Sequence, residues 1–132
     1  MTLERLYKAF GAVHILMGII FFAGAVIDPS AMGMPERWAD SNGNFSIGIA
    51  AMAEHFASAL MVIGFMFWKL PSWTSEDQLK NATMPLIWAQ IFLFLMPVYH
   101  VMNGSINADG TFYIQGAILL AFIVLFFQKV RA

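Results

Sequence analysis

Glu54 and His55 stand side by side in the middle of an apolar run, residues 45–68, long enough to cross a bilayer. A carboxylate deep in hydrocarbon costs roughly 2.5–3.5 kcal/mol on insertion scales. No other acidic residue lies deep inside an apolar run of this chain. A group at that depth is expected to face protein or trapped water and to take a partner. Two chemistries fit an adjacent carboxyl and imidazole. One is general acid–base catalysis, with Glu54 moving the proton and His55 as its partner. The other is recognition, in which the pair holds a ligand headgroup or a contact with another subunit. A packing role competes with both: Glu54 hydrogen-bonded to Gln90 or to a backbone carbonyl, fixing helix positions and doing no chemistry.

Counting about 1.5 Å of rise per residue from the ends of the runs gives depths. His14 falls roughly 12 Å in, Glu54 and His55 about 15 Å, and Gln90 roughly 10 Å by the same rise. These four predict a central polar layer on three helices. His100, Asn103 and Gln115, together with Tyr99, predict a second layer nearer the opposite membrane face. Gly11, His14 and Gly18 share one face of the first run. Gly48, Ala51, His55 and Ser58 share one face of the second. Small residues mark close helix contact in membranes, so these two stripes are expected to meet and to bring His14 and His55 within reach. Facing histidines at one depth are what bis-histidine haem ligation requires, and three histidines with one Glu could form a metal site. No His-x-x-x-His or Glu-x-x-His spacing supports either, and a histidine bonded to Glu or to backbone is the commoner arrangement. The chemistry-bearing set is therefore Glu54 and His55 as candidate catalytic groups, with His14, Gln90, Ser58, His100, Asn103 and Gln115 as candidate binding groups.

The elements that must position them follow from composition. The 132 residues are 60% apolar and 11% charged, with a mean hydropathy of +0.71. Soluble domains carry about a quarter charged residues, so this is an integral membrane chain of one domain, residues 1–132. Four apolar segments, at about 6–27, 45–68, 83–102 and 112–130, each approach the ~20 residues of a spanning helix. Internal backbone satisfaction makes them helices, hence an all-α four-helix bundle. The absence of cysteine excludes disulfides and thiolate chemistry. A net charge of −1 without a basic stripe excludes nucleic acid as a partner.

Six of the seven basic residues (Arg5, Lys8, Lys69, Lys80, Lys129 and Arg131) share one side if both termini are cytoplasmic, and only Arg37 lies across the membrane. The positive-inside rule therefore predicts a multi-pass inner-membrane protein with both termini inside. Ala23-Gly24-Ala25 has the form of a cleavage site, but His14 suits a signal core poorly, so the first helix is expected to be retained. Ser75-Glu76-Asp77-Gln78 reads as a capping box opening a short turn between the second and third helices. Pro85 is expected in the first turn of the third helix, and Pro97 inside it, where it should bend the helix.

The layout resembles the DoxX-like group of small bacterial four-helix membrane proteins. A basic start at Arg5 and Lys8 leads to a glycine-bearing first helix ending at Asp28-Pro29. A small-residue second helix follows, from Gly48 to Ser58. His100-x-x-Asn103-Gly104 then ends the third, and the fourth is uninterrupted. This resemblance spans nearly the whole chain and implies a fold. A fainter one, at Pro35-Glu36-Arg37-Trp38-Ala39, is to haem-binding membrane isomerases of the styrene-oxide type. That family carries a haem-ligating His just beyond the Trp, where this chain has Asp40-Ser41-Asn42. Haem here would therefore need His14 or His55.

Three functions follow as expectations. The leading one is a non-catalytic bundle among membrane lipids that binds a hydrophobic small molecule, or serves as an accessory subunit of a membrane complex. The second is a membrane isomerase or hydrolase using Glu54 and His55 on a lipophilic substrate. The third is a proton-coupled transporter built as a homo-oligomer, with Glu54 as the coupling group.

Overall fold

The structure, a computed structural model, describes residues 1–27, 41–42, 47–104, 108 and 110–131. Among these residues are four α-helices: α1 (Leu3–Ile27), α2 (Ile47–Trp73), α3 (Glu76–Met102) and α4 (Gly110–Arg131). All four are long and apolar enough to cross a membrane. Their 22–27 residues span roughly 33–40 Å, which exceeds a ~30 Å hydrocarbon core and leaves their ends among headgroups.

Two boundaries differ from expectation. α2 continues past Trp68 to Trp73, and α3 begins at Glu76 rather than near residue 83, so the predicted 69–82 connection contracts to Thr74 and Ser75. The capping box opens α3 itself: Ser75 Oγ accepts from the Gln78 amide at 3.3 Å, and Gln78 Oε1 accepts from the Ser75 amide at 2.9 Å. Glu76 and Asp77 in the first turn complement the helix dipole. At the end of α2, Ser72 Oγ donates to Lys69 O (2.7 Å) and Thr74 Oγ1 to Leu70 O (2.9 Å), occupying carbonyls that the helix end would leave open. Hydropathy marks where apolar composition stops. Hydrogen bonding lets the helices run one to two turns further. Pro85 consequently lies inside α3, as Pro97 does.

α3 closes as the Asn103 amide bonds Tyr99 O (3.0 Å) and the Gly104 amide bonds Val101 O (3.1 Å). Gly104 takes φ +71°, which a side chain would resist. Asp28-Pro29, the Pro35-Glu36-Arg37-Trp38-Ala39 segment and Asp40 lie outside the described residues.

The chain divides into two compact units, Phe10–Trp68 and the pair of segments Met1–Ala9 and Lys69–Ala132. In the second of these, the buried stripe of α3 is Leu79, Thr83, Ile87 and Gln90. Tyr7, fully buried, hydrogen-bonds Thr83 Oγ1 at 3.0 Å and sets its ring edge against Phe126 of α4, centroids 4.9 Å apart. Thr83 Oγ1 lies 2.7 Å from Leu79 O, to which it donates. A β-carbon on Gly116 would stand 3.1 Å from the Phe94 ring. Phe94 thus pairs with Gly116, while Thr83 and Phe126 meet the same tyrosine, so α3 and α4 run antiparallel.

The Phe10–Trp68 unit is an antiparallel pair of α1 and α2 closed by small residues. Gly11, Gly18 and Ala25, seven apart, are all buried on α1, and Ala53, Ala57 and Gly64 are buried on α2. A β-carbon at Gly11 would lie 2.5 Å from Gly64 O. One at Gly64 would lie 2.7 Å from Gly11 O, and one at Gly18 2.7 Å from Ala57 O. The two backbones touch. A seven-residue period keeps one face of a helix on a single partner, which is the geometry of close left-handed pairing.

Candidate functional site

The register of that seam places the polar side chains His14, Glu54, His55 and Ser58. Gly11 lies against Gly64 and Trp68, Ile15 against Gly64, and Gly18 against Ala57 and Met61. His14 is therefore level with residues near 61–65, and its ring lies 5.9 Å from that of Phe67. His55 is level with the far part of α1, where Phe21 meets Phe56 at 6.4 Å. The two histidines are offset by six to ten residues, roughly 9–15 Å along the axis. The expected central layer of His14, Glu54 and His55 does not form within this helix pair. Depths counted from guessed span ends misplaced it, because α2 extends to Trp73 and its middle falls near residue 60.

The face differs too. Successive residues turn ~100°, so the stripe Gly48, Ala51, His55 and Ser58 lies roughly 120–180° around α2 from Ala53, Ala57 and Gly64, with His55 the furthest round. His55 is exposed and points away from α1, and Gly48 is also exposed. Glu54 and Ser58 are half-buried. Both candidate stripes of α2 contain small residues. The Ala53–Gly64 stripe matches the period-seven glycines of α1, and backbone approach selects it over the one carrying His55.

His14 lies close to the middle of α1. Its Nδ1 is 2.9 Å from Phe10 O, and its ring packs on Phe10 with centroids 4.2 Å apart. His55 Nδ1 is 2.6 Å from Ala51 O. A carbonyl only accepts, so in both rings Nδ1 carries the proton and Nε2 is the nitrogen left to face outward. That tautomer suits ligation through Nε2. The opposed, level placement that bis-histidine haem ligation needs is nevertheless missing between α1 and α2, since the rings differ in height and in face. Among the described residues, no three His, Asp or Glu side chains gather to hold a metal ion. Within the described residues of the Phe10–Trp68 unit, Glu54 makes no hydrogen bond to a carbonyl.

In the other unit, Gln90 sits on the buried stripe of α3. His100 is half-buried with its ring 5.6 Å from that of Tyr99, and Asn103 is the exposed cap of α3. The antiparallel register sets half-buried Gln115 about level with residue 95, some five residues or ~7 Å deeper than His100. The expected outer layer is thus spread along the helix. Sequence reading also passed over the Tyr7–Thr83 bond, whose signal was a tyrosine and a threonine in two turns read as membrane edge.

The chemistry available to the exposed face of α2 is a carboxyl and an imidazole Nε2, side by side. They lie about six residues, ~9 Å, from the middle of the helix, still inside a hydrocarbon half-thickness of ~15 Å. No family model, curated protein or solved structure matches the chain.

Proposed function

We propose that this protein is a small non-catalytic subunit of an inner-membrane assembly, contacting its neighbour through the outward face of α2. One observation carries the reading: His55 is exposed and Glu54 half-exposed within a helix built to cross lipid. Polar groups at that depth face protein or trapped water, because lipid offers them no hydrogen bond. Of the two halves of the leading expectation, subunit contact and lipophilic-ligand binding, this favours contact. Both termini are cytoplasmic in this reading, supported by the side preference of six of seven basic residues. Kinship with the DoxX-like group stands as part of the same proposal, supported by helix layout.

Extraction of the full chain from its native membrane into polymer-bounded nanodiscs, followed by native mass spectrometry, tests it. The expected result is a particle in which the 14.7 kDa chain is bound to further protein. A lone chain carrying a stoichiometric hydrophobic small molecule would replace this reading with ligand binding. A lone chain with lipid only would refute it.

A further inference from the structure

The outward face of α2 has a second regularity. Gly48, Ala51, His55, Ser58 and Val62 are spaced three, four, three and four residues apart, the a/d repeat of a left-handed helix pair. The surface contacting α1 uses the opposite positions of the same heptad, Ala53, Ala57 and Gly64. α2 is thus built with two seams, and within the Phe10–Trp68 unit α1 fills only one.

We propose that a second copy of this chain occupies the other, in a two-fold dimer with α2 packed on α2; this rests on the subunit reading above and names the partner. Both copies enter the membrane in one orientation, so the two-fold axis lies along the membrane normal and the paired helices run parallel. In a parallel pair, a side chain at an a position enters a hole formed by four residues of the facing helix. For His55 those are Ala51, Glu54, His55 and Ser58 of the second copy. Small residues at 51 and 58 leave room for the imidazole. The fourth wall is the carboxyl.

The surface is therefore self-complementary: each His55 meets the other copy's Glu54, twice by symmetry. His55 Nδ1 is already held by Ala51 O at 2.6 Å. Nε2 is the nitrogen that reaches across, and one shared proton completes its bond to the carboxyl. Within one copy the two side chains diverge by ~100°, which explains why Glu54 has no partner within the described residues of the Phe10–Trp68 unit. Pairing across the axis removes both polar groups from lipid together.

The chain has no cysteine, so single cysteines report contacts directly in intact membranes. Mild oxidation of Ala51→Cys and, separately, Ser58→Cys should give a product of twice the chain mass. Phe56→Cys and Ile63→Cys, on the flank of the repeat, should not. In Förster-transfer titrations of the full chain in bicelles, Glu54→Ala should weaken dimerisation about ninefold, at roughly threefold for each of two membrane hydrogen bonds. Three outcomes overturn the proposal. Cross-linking of the 51 and 58 cysteines to a protein of different mass retains the subunit reading and rejects the second copy. Labelling of those cysteines by a lipid-soluble maleimide as fast as at position 56 rejects both. A dimer that forms equally well with Glu54→Ala rejects the Glu54–His55 pairing.

Discussion

The contact of Gly11 with Gly64 yields a prediction with a worked magnitude. A β-carbon at Gly11 would stand 2.5 Å from Gly64 O and 2.6 Å from Trp68 N, and both neighbours are backbone. Neither can rotate aside as a flexible side chain could. Gly11→Ala must therefore open the helices from 2.5 Å to the 3.4 Å of ordinary contact, about 0.9 Å. A gap of that size forfeits a quarter to a half of the dispersion energy of the atoms lining it. Overpacking of this kind costs about 1–3 kcal/mol. Gly64→Ala needs an opening from 2.7 Å, about 0.7 Å at the same place, and should cost a similar amount. The two openings are one movement. Once Gly11→Ala has separated the helices, Gly64→Ala fits the space already made, so the double variant should cost less than the two singles together by about 1 kcal/mol or more, as expected for coupled neighbours. Gly110→Ala is the control: nothing lies within 4 Å of its added carbon and its φ is not positive. It should be neutral, or stabilising by about 0.4–1 kcal/mol. Steric-trap unfolding of the full chain in bicelles measures all four. Strict additivity of the two seam substitutions, or a Gly11→Ala as harmless as Gly110→Ala, would refute the backbone contact and the register drawn from it.

Three further outcomes are expected. Tyr7→Phe removes the buried bond to Thr83 and should cost about 0.5–1.5 kcal/mol by the same unfolding assay; the low end is expected because Thr83 keeps its bond to Leu79 O. Ser75→Ala strips the capping box from α3 and should cost about 1 kcal/mol, while Ser72→Ala, which caps nothing at a helix start, should cost less. Reporter fusions after Ala132 and within residues 29–44 should give opposite signals, cytoplasmic for the first; a periplasmic C-terminus would overturn the charge-based orientation.

Some of this protein was legible in the order of its residues alone. Four apolar runs separated by polar breaks determine four helices, because a backbone in hydrocarbon must satisfy its own hydrogen bonds. The capping box at Ser75 is a local device and was readable as one, although it opens α3 rather than a short turn. The period-seven spacing of Gly11, Gly18 and Ala25 was equally present, as was that of Ala57 and Gly64. What one chain of letters does not carry is the choice among faces. α2 offers two small-residue stripes, and only the approach of α1 selects Ala57 and Gly64 over Ala51 and Ser58. That choice turns His55 outward and offsets it from His14 by roughly two to three turns, so the two do not share a layer within this helix pair. Depth along a membrane helix depends on where its partner sits, and face depends on which partner comes close enough to touch backbone; both are relations between segments, settled by packing.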